Sequence, residues 1–290
     1  MLEAQTQSKL KSTNKTGQQD TREYLAFCDF LEKTSGITLG ENKAYLVKNR
    51  LRPIMEAHNV ESLSAATEKI KSGRDPKLKL EIIDAMTTNE TSWFRDQYPF
   101  EYLHDELLPK LASNRMGTPR IWSAACSYGH EAYSISMIIE EYIAKNPGSF
   151  PGGIQIIGTD ISSRVVASAT KAEFDYLSIS RGLSEERKKK YFIQTREDYY
   201  KLNEKIKSRV RFQNFNLLES YASLGKFDII FCRNVLIYFS AENKTEIMNK
   251  FSQSLKKDGV FILGASETVT NHCTAFEMVK CPRGVVYKPV

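Results

Sequence analysis

Apolar positions fall into two regimes along the chain. From Thr21 to Met86 they recur at helical spacing in short runs. Glu23 to Lys33 carries Leu25, Phe27, Cys28, Phe30 and Leu31, and Gly36 follows as a stop. A second helix begins at Glu41, with Tyr45, Leu46 and Leu51 along its apolar side, and Pro53 is expected to kink or end it. Ser62–Lys71 and Pro76–Met86 supply a third and a fourth. From Pro99 the pattern alternates. A helix at Tyr102–Leu111 precedes a strand at Arg120-Ile121-Trp122, and a helix runs on from Glu131 to Tyr142. Ile154–Asp160 reads as a buried strand, Ser162–Ala172 as a helix, and Phe227–Cys232, Ala241–Leu255 and Gly259–Leu263 as strand, helix and strand. The tail reads as two strands joined at Pro282-Arg283-Gly284. Alternation closed by a hairpin predicts an α/β fold: a doubly wound, mostly parallel sheet with a C-terminal antiparallel pair.

Two stretches break the pattern. Thr87–Asp96 mixes polar, aromatic and cationic residues without a clean period. It suits either an interdomain linker with anchoring aromatics or a loop facing a pocket. Tyr191–Asn216 is polar and aromatic, with the alternating run Val210-Arg211-Phe212-Gln213, and reads as a small antiparallel insertion that leads back into the main sheet. Its lead-in, Glu185–Lys190, reads as an exposed helix. The expected organisation is a disordered leader over 1–20, an all-helical domain over 21–86, a linker contributing to a pocket over 87–98, and an α/β domain over 99–290 with the insertion at about 191–216.

Composition narrows the class. No apolar run approaches the ~20 residues needed to span a bilayer, and the polar N-terminus lacks a signal-peptide core, so a cytoplasmic protein is expected. The 5 cysteines form no CxxC and keep no zinc-ligand spacing to the 4 histidines, so reduced thiols and no metal site are expected. The net charge of +6 favours an acidic partner, and the basic residues are densest at Lys43, Lys48, Arg50 and Arg52 on the second helix.

The candidate chemistry centres on Pro119–Ser134. Small residues, Ser123-Ala124-Ala125-Cys126, lead through Gly129 into a helix, where backbone amides and a helix N-terminus converge on a ligand. Two more features fall at predicted strand ends: Asp160, and Cys232-Arg233-Asn234. Asp160 is either an acid for both hydroxyls of a ribose or a helix N-cap. No G-x-G-x-x-G and no G-x-x-x-x-G-K-[ST] occurs, which disfavours dinucleotides and P-loop chemistry. A ribose acid without a pyrophosphate cradle points to S-adenosylmethionine.

These residues resemble the CheR family of S-adenosylmethionine-dependent chemoreceptor glutamate methyltransferases. The resemblance runs from about Thr21 to the C-terminus, on TTNETSWFRD (87–96), WSAACSYGHEAYS (122–134), GTDIS (158–162), NLLE (216–219), FDIIFCRNVLIYF (227–239) and GASE (264–267). It implies a seven-stranded methyltransferase sheet, S-adenosylhomocysteine as product, no metal, and the methylation helices of chemotaxis receptors as partners, with neither nucleic acid nor membrane insertion. It further implies that Asn89, Thr91 and Arg95 hold the methionine end, and that Glu131 binds the amino-acid or nucleoside portion. Asp160 takes the ribose, Asn216 and Leu217 flank the adenine, and Arg233 and Asn234 complete the pocket. Tyr238 lies with Arg95 near the methyl acceptor, and these two are the catalytic candidates. Lys43, Lys48, Arg50 and Arg52 are candidates for receptor docking.

The chain departs from the family at His130, where a second acid is usual, and at Ala132, where proline is common. Some members grip a receptor pentapeptide with a glycine-containing loop of the β insertion. The run 193–207 has no glycine here, so no pentapeptide dependence is expected. The rival readings are a nucleic-acid methyltransferase, which lacks the stacking site expected for it, and a non-catalytic relative, supported only by His130.

Overall fold

The computed structural model describes residues 20–114, 117–269 and 273–290. The expected leader lies outside them except for Asp20, which opens the first helix. The chain divides between Thr87 and Thr88 into two compact units.

The first unit is helical: α1 (20–35), α2 (Ala44–Ala57), α3 (Leu63–Lys71) and α4 (Pro76–Met86). Gly36 stops α1 with a φ of +79°, and its amide closes on Glu32 O. Ser62 and Asp75 cap α3 and α4 through their side chains. Phe27, Leu31, Val47, Leu51, Ile70, Leu78 and Ile82 form the core. One reading of α2 is narrowed and one is corrected. Pro53 lies inside the helix without ending it, on an exposed position where water can take the carbonyl left without a donor. Tyr45 is 63% exposed, because Val47 and Leu51 take the inner face and Tyr45 lies about 200° round from Val47.

The second unit opens with α5 (Tyr98–Tyr102), a π-helical turn (Leu103–Leu107) and α6 (Leu108–Ser113). It continues through β1 (Arg120–Ala124), α7 (His130–Lys145), β2 (Gln155–Asp160) and α8 (Ser163–Lys171). Then come β3 (Glu173–Asp175), α9 (Tyr176–Ser180), α10 (Glu185–Tyr191), β4 (Phe192–Arg196), β5 (Tyr199–Leu202), α11 (Glu204–Lys207) and β6 (Val210–Asn214). The last elements are β7 (Phe227–Cys232), α12 (Ala241–Ser254), β8 (Leu255–Leu263), β9 (Phe276–Cys281) and β10 (Gly284–Pro289).

The main sheet has seven strands in the order β6-β2-β1-β7-β8-β10-β9. It is parallel from β6 to β8, and β10 and β9 close it antiparallel. Successive residues of each central strand serve opposite faces. Ile121, Ile229 and Phe231 pack with Ile135 and Ile139 of α7. Trp122, Ile230 and Phe261 pack with Ile247 and Phe251 of α12. The chain runs from β1 outward to β2 and β6, then returns to β7 on the other side of β1. The β1/β7 crevice is therefore a topological switch point, where open α/β sheets receive their ligands.

The insertion differs from expectation. Its small sheet has the order β3-β5-β4, so one strand comes from residues 173–175. The run Val210–Gln213 lies instead in the main sheet, parallel to β2, with Phe212 opposite Gly158. Strand alternation alone does not say which neighbour a strand will take. The lead-in helix α10 also has a covered side: Arg187 forks onto both oxygens of Glu141 at 2.8 Å and lies 3.9 Å over the Phe94 ring.

Candidate active site

The turn after β1 is tight, and apart from Tyr128 its residues are small. Ala125, Ser127 and Gly129 all take positive φ, 56°, 52° and 85°. A Cβ on Gly129 would sit 3.0 Å from the Phe212 ring and 3.1 Å from Ala169 Cβ. Asp160, buried at the end of β2, holds this turn: Ser127 N donates to its Oδ2 and Ser162 N to its Oδ1, each at 2.9 Å. The cap of α8 is Ser162, which accepts from Val165 N, so Asp160 is no helix cap. Burial pushes the Cys126 thiol up, consistent with an inert thiol.

Arg233, at the end of β7, is the hub of the site. Its side chain is 2% exposed. Nη1 donates to Glu131 Oε2 at 3.0 Å, and Nη2 donates to Asp96 Oδ2 at 2.7 Å and Arg95 O at 2.6 Å. The other oxygen of Glu131 accepts from Ser123 Oγ at 2.7 Å. One guanidinium thus ties the loop before the sheet, the start of α7 and the end of β7 across the switch point. The loop 89–97 bends sharply to reach it, with φ of 48°, 66° and 49° at Phe94, Asp96 and Gln97. It is fastened where Ser127 Oγ donates to Asn89 O (2.8 Å) and where Phe94 N donates to Ser134 Oγ (3.2 Å). Arg95 is half-buried, and its Nη1 donates to Glu90 O at 3.4 Å. Trp93 and Phe94 are buried in the core, so this stretch is part of the α/β unit.

His130 occupies an aromatic cage. Its ring centroid lies 4.6 Å from that of Trp93 and 5.1 Å from that of Phe174, and Nε2 pairs with Ser178 Oγ at 2.8 Å. Burial, aided by the Arg181 charge, pushes its pKa down to about 3, so the ring is neutral at pH 7. Beside it Asn89, Thr91, Tyr128, His130, Ser178 and Arg181 help line a cavity of about 250 Å³.

The remaining residues divide between the ends of β6 and β7. Asn216 is half-buried and accepts from Leu218 N at 3.0 Å through its side chain, while Leu217 is buried. Asn234 takes a φ of 59°, and half-buried Tyr238 ends a 3-10 turn, Leu236–Tyr238, in the same segment. In the helical unit Lys43, Lys48 and Arg52 are exposed. Arg50 is engaged otherwise: its Nη1 donates to the carbonyls of Ala85, Met86 and Thr87 at 3.2–3.4 Å, at the end of α4. Sequence reasoning missed Asp96, Ser123, Ser127 and Glu267 as working parts. Asp96 and Glu267 stood inside stretches already singled out, yet nothing in their spacing told that they reach across the sheet.

The CheR methyltransferases match this chain in two domains: the S-adenosylmethionine-binding domain over residues 89–285 and the all-alpha domain over residues 22–87. The chain belongs to the CheR methyltransferase family. It is 47% identical to chemotaxis protein methyltransferase Cher2 of Pseudomonas putida over 89% of this chain and 94% of that protein. It is 48% identical to chemotaxis protein methyltransferase 1 of Pseudomonas aeruginosa over the same shares. Against chemotaxis protein methyltransferase 1 of Vibrio cholerae it is 46% identical over 92% of this chain and 96% of that protein.

The cofactor of this family is S-adenosylmethionine, and the residues present fit it. Three carboxylates, Asp96, Glu131 and Asp160, stand at the sheet edge against the single buried guanidinium of Arg233. That excess of negative charge suits a cofactor with a sulfonium and an ammonium against one carboxylate. Among the described residues Arg233 Nε and Asn234 Oδ1 are buried without a hydrogen-bond partner, a donor and an acceptor left unfilled on consecutive residues. Among the described residues no group of three His, Cys, Asp or Glu could hold a metal, and no helix is long and apolar enough to cross a membrane.

Proposed function

We propose that this methyltransferase esterifies glutamate side chains on the cytoplasmic methylation helices of chemotaxis receptors, releasing S-adenosylhomocysteine. The observation that carries the reading is the Arg233 hub, which gathers the 95–96 loop, Glu131 and β7 at the switch point and leaves a net negative site. The relatives named chemotaxis protein methyltransferase supply the pathway.

When bound, S-adenosylmethionine supplies the methyl group from a sulfonium with a good leaving group. The protein then has little covalent chemistry to do. A glutamate acceptor has a reference pKa of about 4.3 and is over ~99% ionised near pH 7, so no general base is needed. What remains is alignment and exclusion of water. Asp160 receives the ribose hydroxyls, Asn216 and Leu217 the adenine, and Glu131, Asn89 and Thr91 the remainder with Arg233 and Asn234. Arg95 orients the acceptor carboxylate, and Tyr238 lies near the transferring group. The β4–β5 turn is only Glu197-Asp198, with Asp198 at a φ of 59° in place of a glycine, which supports transfer without a receptor pentapeptide. The exposed cations Lys43, Lys48 and Arg52 are the docking face for glutamate-rich receptor helices.

The test is transfer of labelled methyl from S-adenosylmethionine to a purified receptor cytoplasmic fragment. Base-labile label that disappears when the receptor glutamates become alanine is the expected result. Base-stable label would refute ester formation.

A further inference from the structure

Glu267 is 7% exposed, and among the described residues no lysine, arginine or histidine is paired with it. A carboxylate so placed must find its compensation in backbone donors. It finds them in two loops at once. Oε2 accepts from Asn234 N at 2.5 Å and from Gly264 N at 2.9 Å, and Oε1 accepts from Val235 N at 3.0 Å and Leu236 N at 2.9 Å. Asn234 is in the left-handed region, at a φ of 59°. Successive amides turned inward around such a residue make a concavity for an anion, and here the chain fills it with its own side chain. Gly264 permits the approach: a Cβ there would lie 2.7 Å from Glu267 Oε2 and 2.8 Å from Asn234 Nδ2.

We infer that Glu267 is a positioning residue for methyl transfer, clamping Asn234–Leu236 so that Asn234 and the Tyr238 turn are presented at the switch point. The inference rests on the methyltransferase reading given above. It separates two fastenings of one segment. Arg233 is fixed by Glu131, Asp96 and Arg95 O, independently of Glu267. The amides of Asn234, Val235 and Leu236, which lead into the Leu236–Tyr238 turn, are held by the carboxylate. Of the cofactor residues only Asn234 is tied to the clamp, while Arg233 and Glu131 keep their own network, so losing the clamp shifts the Tyr238 acceptor side more than the cofactor side.

Glu267→Gln keeps the shape but sets an amide N–H₂ against two of the four backbone donors. Glu267→Asp keeps the charge on a stem one methylene shorter. Each variant is made in the full chain and read by amide hydrogen exchange over 234–236, by S-adenosylhomocysteine titration, and by kcat and KM for methyl transfer to the receptor fragment. In Glu267→Gln, exchange protection at 234–236 is expected to fall and kcat to drop about 10²-fold, the effect of an ångström-scale misplacement. Cofactor affinity should change far less, and Glu267→Asp should recover part of both losses. Should Glu267→Gln fail to fold, Glu267→Asp alone must show the drop in kcat with cofactor affinity kept. Wild-type kcat in a folded Glu267→Gln chain, or equal losses in kcat and cofactor affinity, would overturn the inference. A wild-type chain that neither bound S-adenosylhomocysteine nor transferred methyl would sink the methyltransferase reading, and this role with it, while exchange at 234–236 would still report the clamp.

Discussion

The turns after β1 and β7 lie side by side at one edge of the sheet, and both are held by a carboxylate from the next strand along. Asp160 at the end of β2 takes the amide of Ser127 in the β1 turn. Glu267, just beyond β8, takes the amides of Asn234, Val235 and Leu236 in the β7 turn. The two differ in what they hold. The β1 turn has three positive φ values and, apart from Tyr128, small side chains. The β7 turn carries the working side chains, with Arg233 spanning to Glu131 and Asp96. One loop is drawn tight by its backbone and the other carries the charged side chain, and a carboxylate from the neighbouring strand's end fixes the amides of each.

The largest effect is expected at the Arg233 hub. Arg233→Met leaves Glu131 and Asp96 without their shared cation and should destabilise the larger unit by about 3–5 kcal/mol. Denaturant unfolding of the full chain measures this, and a loss under 1 kcal/mol would mean that the network acts like a surface pair. Arg233→Lys should recover little, because an ammonium cannot span the two carboxylates as a fork does.

A second effect belongs to His130, which packs the start of α7 against Trp93 and Phe174. The folded chain keeps this ring neutral to about pH 3, whereas an unfolded histidine protonates near pH 6.5. The unfolded state binds more protons in between, so stability falls as pH drops through that window, by about 1.4 kcal/mol per unit from this residue. The Tm advantage of wild type over His130→Asn should shrink between pH 7 and pH 5. An advantage independent of pH would refute a neutral buried ring.

The smaller effects lie in the helical unit. Arg50→Ala removes the donor shared by Ala85, Met86 and Thr87, and should cost about 1 kcal/mol of stability. Paired Lys48→Glu and Arg52→Glu changes should leave the fold intact and weaken receptor methylation. Methylation unchanged by the pair would remove the docking face, and an unchanged unfolding midpoint in Arg50→Ala would remove the anchor.

What was legible in the sequence follows this division of labour. Periodicity and stop signals sufficed for the helical unit, because the inner face of each helix is set by spacing within its own sequence. Asp160 was legible because it ends a strand whose pattern is plain. Glu267 was not, since a carboxylate that reaches back to another loop's amides leaves no spacing to read. The same holds for Val210–Asn214, whose alternation fits an insertion as well as an edge of the main sheet, and whose place beside β2 is decided by pairing far along the chain. Arg50 misled for the opposite reason: its charge suggested a surface role, while its position opposite the end of α4 gave it an internal one.

In the proposed function, the carboxylate at the end of β2 both shapes the β1 turn and receives the cofactor's ribose. Calorimetric titration of the full chain with S-adenosylhomocysteine, wild type beside Asp160→Asn, tests it most directly. Binding by wild type is expected, with a loss of about 10- to 100-fold in the variant, the scale of a hydrogen bond to a charged group. Equal affinity in a folded Asp160→Asn chain would contradict it.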